Sequence, residues 1–390
     1  ELNLYYLRHK PEKFSFVSQN YNGSEIMKLI CEKNKLTEAV SKVQIATVSS
    51  SLPALEGIFF DCKDGYLTLT GYNLEMGVTA AVEAKAEQDG QIIMSAKYFS
   101  EIVRKIPGNT VSIETDDKYI CTIKSGETKF SIIGMPPEEY PDVPTVTGGD
   151  GFEIEGNLLA GMIRQTRFAV AKKEDKPIYN GICFSLGGGE ITLVALDGYR
   201  LAIRKEKIDF DGSLKFVVPE KTLSEISKLI GDGEEKVKIS VEKRHIIFGG
   251  CIVISRLLEG EFMDWESAVP KACTSTVLAD THELRSCIDR VSLVVNDRDR
   301  VFVRCFFEEK EFKAMCESTV GNAVDKVGIS LEGDRVEIGF NSRYLIDALR
   351  AVEDDRIKIE LNGAFLPIKI MPTEGDNFLF IVLPVRITKG

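Results

Sequence analysis

The chain has 390 residues, of which 49 are Lys or Arg and 60 are Asp or Glu, giving a formal net charge of −11; 44% of residues are hydrophobic and 28% charged. This composition excludes a disordered or collagen-like chain and a protein that coats a polyanion through blanket positive charge, and the length calls for several hydrophobic cores. No apolar run approaches the roughly 18 residues that span a bilayer, and residues 1–26 lack the apolar core of a signal peptide, so a cytoplasmic location with no membrane partner is expected.

Residues 1–26 precede the first periodic pattern and read as an N-terminal extension or an expression remnant. From Met27 one unit recurs three times, giving predicted domains over 27–148, 149–271 and 272–390. The first begins with a strand and a helix over Lys33–Ile45, Leu36 and Val40 facing inward. An Asp64-Gly65 hairpin follows, then Ser95 as N-cap of a second helix over Lys97–Lys105, and the unit closes at Tyr140-Pro-Asp-Val-Pro144. In the second, the helices are expected over Leu159–Lys173, with Leu159 and Ile163 inward, and over Lys221–Lys228 after Pro219. Gly187-Gly-Gly189 reads as a hairpin turn, and the unit ends at Phe262–Pro270. In the third, the helices are Leu284–Asn296, with Leu284 and Ile288 inward, and Arg343–Arg350 after Asn341; Val327–Ile338 reads as a hairpin about Gly333-Asp334. The fold class is therefore α+β: three tandem domains, each with two helices packed on antiparallel sheets.

The six helix windows hold sixteen basic and only five acidic residues in an acidic chain. The basic set is Lys33, Lys35, Lys42, Lys97, Arg104, Lys105, Arg164, Arg167, Lys172, Lys173, Lys221, Lys228, Arg285, Arg290, Arg343 and Arg350. On a continuous helix Arg164, Lys172 and Lys173 fall off the Leu159/Ile163 stripe, while Arg167 borders it. The plain alternative is a set of solvated helix faces. Six helices sharing one sign favour a surface that meets nucleic-acid phosphates without reading bases.

Little points to catalysis. The histidines, His9, His245 and His282, have no ligand spacing, and no Gly-x-x-x-x-Gly-Lys-Ser/Thr phosphate loop occurs. Acidic clusters such as Asp297-Arg-Asp299 and Glu353-Asp-Asp355 fit solvated turns better than a two-metal nucleotidyltransferase site. Nine scattered cysteines without Cys-x-x-Cys read as reduced core thiols. No metal, no cofactor and no catalytic residue is expected.

Several dispersed motifs carry a resemblance. Thr70-Gly-Tyr-Asn-Leu-Glu-Met76, Ala195-Leu-Asp-Gly-Tyr-Arg-Leu-Ala202, Phe340–Leu349, Glu360-Leu-Asn-Gly363 and Leu383-Pro-Val-Arg-Ile387 resemble, in order, signatures of the bacterial DNA polymerase III beta subunit family, the sliding clamps. The resemblance runs from Met27 to Ile387. It implies a DNA-clamp domain in three copies, with two chains closing head to tail into a six-domain ring lined by twelve helices. Geometry agrees, because helices about 10 Å apart make a circle of only about 19 Å from six but about 38 Å from twelve, and a duplex is about 20 Å wide.

The implied function is a processivity factor that encircles duplex DNA, independent of sequence. It would tether the replicative polymerase's catalytic subunit, the clamp loader and other clamp-binding-motif proteins. It would be an accessory subunit of a nucleotidyltransferase, without catalysis of its own; the alternative is a scaffold of the same fold serving mainly repair or replication control. The resemblance also implies a pocket for peptides of Gln-Leu-x-Leu-Phe pattern. Mapped by motif, it comprises Tyr179, Gly198, Tyr199, Arg200, Leu201, Met263, Ala268, Ile381, Leu383, Pro384, Val385 and Arg386. Two segments depart from the family: Ser49-Ser-Ser51 stands where an Arg often does, and the C-terminal signature carries Leu383, Ile387 and a Thr388-Lys-Gly390 tail.

Overall fold

The computed structural model describes residues 26–144, 150–172, 176–230, 233, 235–249, 252–295 and 302–386. Its elements repeat three times in one order: strand, helix, four strands, helix, three strands. The first repeat is β1 (Lys28–Glu32), α1 (Lys33–Val43), β2 (Gly57–Lys63), β3 (Tyr66–Tyr72), β4 (Met76–Gln88), β5 (Gly90–Ser95), α2 (Ala96–Lys105), β6 (Thr110–Thr115), β7 (Ile120–Ser125) and β8 (Thr128–Ile133). The second is β9 (Asp150–Glu155), α3 (Gly156–Arg167), β10 (Gly181–Gly187), β11 (Glu190–Leu196), β12 (Arg200–Lys207), β13 (Leu214–Pro219), α4 (Glu220–Ile230), β14 (Lys236–Glu242), β15 (His245–Phe248) and β16 (Ile252–Arg256). The third is β17 (Ser275–Asp280), α5 (Thr281–Val291), β18 (Val303–Phe307), β19 (Glu311–Glu317), β20 (Asn322–Gly333), β21 (Val336–Phe340), α6 (Ser342–Ala351), β22 (Arg356–Leu361), β23 (Ile368–Pro372) and β24 (Phe378–Val382).

By packing, the chain divides into two compact units, one reaching Asn157 and including Ser224–Leu257, the other comprising Leu158–Leu223 and the chain from Leu258 onward. Each holds one 12-stranded antiparallel sheet. In the first unit the order β8-β7-β6-β1-β4-β16-β15-β14-β9 has β3, β2 and β5 branching from β4; the second runs β13-β10-β11-β12-β24-β23-β22-β17-β20-β19-β18-β21.

The repeat is legible in side-chain spacing. The first helix of each repeat buries residues at i, i+3, i+4 and i+7: Leu36, Ala39, Val40 and Val43; Leu159, Met162, Ile163 and Thr166; Leu284, Cys287, Ile288 and Val291. That stripe is what an amphipathic helix presents to a sheet. Hairpin chemistry is equally local. Asp64 (φ 52°) and Gly65 (φ 82°) join β2 to β3, and Gly188 (φ 60°) and Gly189 (φ 76°) join β10 to β11, each pair supplying the two positive φ angles of a tight two-residue turn. The hydrophobic interiors include Phe60 edge-on to Phe99 at 4.7 Å in the first unit and Phe184 stacked on Phe216 at 5.2 Å in the second.

Several expectations need correction. The helix expected over 159–173 starts earlier and stops at Arg167. Its start needs Gly156, where an added Cβ would lie 2.5 Å from Ile230 Cγ2. Past its end, Phe168 packs edge-on against Phe380 at 5.2 Å. Lys172 therefore lies beyond the helix, and the angular placement given to it does not hold; Lys173 is outside the described residues. The helix expected over 284–296 is Thr281–Val291 followed by a 3-10 turn, Ser292–Val294, and Asp280 caps it by accepting from the Glu283 N–H at 2.8 Å.

Of the expected caps, Asn341 accepts from the Arg343 N–H at 3.1 Å, whereas Ser95 makes no cap bond and ends β5. Pro219 ends β13 instead of opening the helix. Val327–Ile338 is not a hairpin: β20 pairs with β17 and β19, and β21 with β18, so Gly333 (φ 109°) carries the chain between strands that are not neighbours. Seven cysteines are buried, but Cys273 is exposed; Cys251 lies outside the described residues, as do residues 1–25, Asp297–Asp299 and the tail from 387.

Candidate functional site

The residues singled out above lie on the faces of the six helices and on one further surface. The helices come first. Within the observed bounds, the six helices carry fourteen Lys and Arg against seven Asp and Glu, a smaller excess than the wider windows gave. Every helix has a base in its last turn: Lys42, Arg104 with Lys105, Arg164 with Arg167, Lys228, Arg290 and Arg350. Part of the bias thus serves the helix dipole, where each exposed cation contributes about 0.3–1 kcal/mol.

Six of the sixteen bases lie near carboxylates: Lys35 with Glu83 at 3.6 Å, Lys42 with Glu38 at 2.6 Å, Arg164 with Glu353, Arg167 with Glu220 at 3.2 Å, Lys228 with Glu225 at 2.8 Å and Arg290 with Asp325 at 2.6 Å. Lys33 donates instead to the Ile106 carbonyl beyond the end of α2, at 2.5 Å, and Lys97 lies 5.9 Å from the Tyr98 ring centroid. Among the described residues no carboxylate lies within ion-pair distance of the exposed Arg104, Lys105, Lys172, Lys221, Arg343 and Arg350, or of the half-buried Arg285. In the Ser49–Ser51 loop the serines serve the loop itself: Ser49 contacts Glu56 at 3.2 Å and Ser50 accepts from the Leu52 N–H at 3.2 Å.

The second surface belongs to the second unit and is built on a turn. Between β11 and β12, Asp197 Oδ1 accepts from the Tyr199 and Arg200 N–H groups, both at 3.0 Å, and Gly198 (φ 82°) closes the bend. Arg200 is then driven inward, only 7% exposed, its Nε donating to Asp197 at 2.9 Å and its Nη1 to Asp347 on α6 at 2.7 Å. The guanidinium lies 4.7 Å from the Tyr344 ring centroid and 5.5 Å from that of Phe168. Burial, with the negative charge of Asp197, raises the Tyr344 pKa. Tyr199, 59% exposed, stacks on Tyr344 at 5.8 Å.

The C-terminal segment runs over this turn. Leu383 N–H donates to the Tyr199 carbonyl at 2.9 Å and Val385 N–H to the Gly339 carbonyl at 2.8 Å, which tie the segment to β21 and to the turn. A cleft of about 470 Å³ opens beside it, lined by Ala364, Phe365, Pro367, Leu383, Pro384, Val385 and Arg386. Nearby in the same unit a hydrophobic cluster joins Ile178, Leu201, Phe262 and Ile381, with Tyr179, Trp265 and Val269 half-buried against it; Met263 and Ala268, from the same connecting segment as Phe262, are exposed.

The structure thus brings Leu383, Pro384, Val385 and Arg386 into one cleft and joins Gly198 and Tyr199 to them through the turn. Leu201 and Ile381 are 6% and 3% exposed and pair across β12 and β24, so they are core, and a charge at Leu201 would test folding before binding. Arg200 positions its neighbours from below. Sequence reasoning missed Ala364, Phe365 and Pro367, which line the cleft, and Tyr344, on which Tyr199 stacks; the apolar Phe365-Leu366 pair just after the Asn362-Gly363 turn was the available signal. Arg200→Ala is expected to cost about 3–5 kcal/mol by stranding Asp197 and Asp347. Arg200→Lys should recover little, since one ammonium cannot bind both carboxylates and stack. Urea unfolding checks this, and a midpoint unchanged in Arg200→Ala would contradict it.

Among the described residues no group of three or more His, Cys, Asp or Glu side chains is placed to hold a metal, and no helix is long and apolar enough to cross a membrane.

Three family models match the chain: the DNA polymerase III beta subunit N-terminal domain over residues 27–144, the central domain over 153–264 and the C-terminal domain over 266–386. The beta sliding clamp of Bacillus subtilis (strain 168) is 32% identical over 376 residues, covering 92% of this chain and all of that one. Among solved structures, a DNA polymerase sliding clamp from Bacillus subtilis superposes with a TM-score of 0.90 at 31% identity, over 93% of this chain and 100% of that one. A putative DNA polymerase III beta subunit from Eubacterium rectale ATCC 33656 gives 0.89 at 32% identity over the same shares.

Proposed function

The chain belongs to the DNA polymerase III beta subunit family, the sliding clamps, and on that premise we propose that two copies close head to tail around duplex DNA as a mobile tether for the replicative polymerase. The observation that carries the assembly is a joint used twice. In the first unit the last strand of repeat two, β16, pairs with the fourth strand of repeat one, β4, from Ile252↔Thr79 to Ser255↔Met76. In the second unit the last strand of repeat three, β24, pairs with the fourth strand of repeat two, β12, from Arg200↔Val382 to Arg204↔Phe378.

By the same rule β8, the last strand of repeat one, pairs with the fourth strand of repeat three, β20, in another chain. Both are open for it: β8 ends its sheet path, and Asn322–Gly328 of β20 pairs only with β19 among the described residues. A joint between unlike edges that recurs through a rotation either closes a ring or runs on as a filament, and two chains with two such joints close.

The exposed bases without carboxylate partners would meet phosphates directly. The paired ones would exchange partners at little cost, because exposed ion pairs contribute only about 0–1 kcal/mol. Contacts this weak and blind to sequence hold the ring on DNA while letting it move. The protein acts as an accessory processivity factor without catalysis of its own. Polymerase, clamp loader and other partners would seat a Leu- and Phe-bearing peptide in the cleft beside Leu383–Arg386, an apolar groove with an aromatic wall and one cation.

Pro384→Ala combined with Val385→Ala is expected to weaken a Gln-Leu-Ser-Leu-Phe peptide at least about tenfold, at about 1–2 kcal/mol per truncated anchor, with the dimer retained. Fluorescence anisotropy reads this, and unchanged affinity would contradict it. The function as a whole is tested by primer extension on circular primed DNA, where this chain with its loader should lengthen the products of the cognate polymerase.

A further inference from the structure

The cleft has a continuation within the second unit, across the sheet of repeat three. Val385 bridges Gly339 on β21, and Gly339 pairs with Arg304 on β18, so Val385 and Arg304 share one face of the sheet, about 10 Å apart across two strand spacings. Two residues along β18, Phe306 pairs with Lys313 on β19 and with Glu337 on β21, which sets all three on the same face. The Arg304 guanidinium lies 5.6 Å and the Lys313 ammonium 5.3 Å from the Phe306 ring centroid. Arg304 Nε donates to Glu337 at 3.1 Å, with both side chains 41% exposed, and the neighbouring Lys326 is taken up by Glu311 at 2.7 Å. Among the described residues no carboxylate lies within ion-pair distance of Lys313, or of Arg386 in the cleft.

This face is peculiar to repeat three. Each repeat has a strand residue three positions before its second helix, Ile93, Val217 and Gly339, and these pair with Phe59, Cys183 and Arg304. Phe59 and Cys183 are buried in hydrophobic clusters that include Tyr140 and Phe262 respectively, whereas Arg304 is a half-exposed cation. Where the fold twice builds an apolar seat for its own chain, the third copy presents an aromatic ring with two cations, in line with the cleft.

We propose that this face receives an acidic stretch flanking the apolar motif of a partner peptide seated in the cleft. The proposal rests on the reading of the cleft as a peptide site, and it adds a selection among partners: those with carboxylates beside the motif bind best. In an extended peptide about three residues cover the distance from Val385 to Arg304. Lys313 meets a carboxylate as an unpaired cation, and Arg304 exchanges Glu337 for one readily, because exposed ion pairs are weak. The Phe306 ring attracts both cations and keeps them near each other. Charges at the rim of an interface act through association rate and salt-sensitive selectivity, so the gain is modest, about five- to tenfold.

Fluorescence anisotropy is measured with three labelled probes: Gln-Leu-Ser-Leu-Phe alone, and the same peptide with Asp-Glu-Asp-Glu added at its N-terminal or at its C-terminal end. The proteins are the unchanged chain, Arg304→Gln with Lys313→Gln, and, as a control for net charge, Lys85→Gln with Lys118→Gln, both exposed in the first unit. On the unchanged chain one acidic probe should bind about five- to tenfold tighter than the plain peptide. The Arg304/Lys313 variant should lose that advantage while binding the plain peptide, whose cleft neither residue lines, as before, and the Lys85/Lys118 variant should keep it. No gain from either extension, a gain that survives the Arg304/Lys313 change, or one lost equally in the control overturns the proposal and leaves the cleft as a peptide site. Failure of the plain peptide to bind the unchanged chain overturns the reading of the cleft, and the proposal with it.

Discussion

Phe130→Glu with Ile133→Glu is expected to convert a dimer into a folded monomer, raising the dimer dissociation constant a thousandfold or more. Both residues sit on β8, the open edge, with Ile133 80% and Phe130 37% exposed, and the opposing open stretch of β20 exposes Val324 at 52% with Val320 next to it at 70%. Unpaired strands with apolar side chains are uncommon on a monomer because they invite pairing. Burying each such side chain contributes about 1.5–3 kcal/mol, and a two-joint ring loses both joints to one substitution set, so about 4 kcal/mol or more disappears before any like-charge repulsion is counted. Sedimentation velocity from nanomolar to micromolar concentration reads the outcome, and circular dichroism should remain native because neither side chain is part of the core. A dimer of unchanged affinity would mean that the joint seen twice within the chain is not the one used between chains.

The second large effect is on DNA. Changing Arg104, Lys105, Arg343 and Arg350 together to Glu should reduce retention on nicked circular DNA at least a hundredfold at moderate salt and flatten the salt dependence. These four are exposed and unpaired among the described residues, so reversal removes contacts that no carboxylate among those residues has already neutralised. Each phosphate contact contributes a slope of about −0.9 to the dependence of log affinity on log salt, and a ring carries every change twice. The same substitution at Arg164 and Lys172 should do less, because Arg164 already faces Glu353 and Lys172 lies past the helix end. Reversal at Arg104, Lys105 and Arg350 also opposes the helix dipoles, at about 0.3–1 kcal/mol each, so Gln substitutions provide the control for stability. Retention equal to that of the unchanged protein would remove the helices from the DNA surface.

What was legible in the sequence was the repeat, because it is written in local chemistry. The spacing of Leu36, Leu159 and Leu284 with their i+4 partners specifies three helices that lie on sheets, and Asp64-Gly65 and Gly188-Gly189 specify hairpins whatever surrounds them. The helix over 159–173 was overextended because periodicity has no term for Phe168, whose ring finds Phe380 more than two hundred residues away. Val327–Ile338 looked like a hairpin because a Gly-Asp pair between alternating runs is locally the same whether the strands pair with each other or with distant partners; β17, β18 and β19 decide it.

The motifs were found, but their meaning needed coordinates. Asn73 accepts from the N–H groups of Glu75 and Met76 as Asp197 does from Tyr199 and Arg200, so the Thr70–Met76 and Ala195–Ala202 signatures are one turn used in two repeats. Gly71 is fixed there because a Cβ would meet the Val43 carbonyl at 2.2 Å. The second turn supports the C-terminal segment beside the cleft, through the Tyr199 carbonyl that accepts from the Leu383 N–H. Phe365 and Tyr344 are not legible in the sequence because the β22–β23 loop meets Leu383–Arg386, and α6 meets Tyr199 and Arg200, only through tertiary contact.

Encirclement of the duplex is tested most directly by topology. The protein is loaded onto nicked circular DNA by its loader, the complex is isolated by gel filtration at moderate salt, and half of it is linearised with a restriction enzyme before a second filtration. A ring that holds DNA by surrounding it stays on the circle and runs off the linear molecule, so protein should remain with circular DNA and be lost after cutting. Equal retention on circular and linear DNA would show that the chain grips the duplex through its surface, and would contradict a closed, sliding ring.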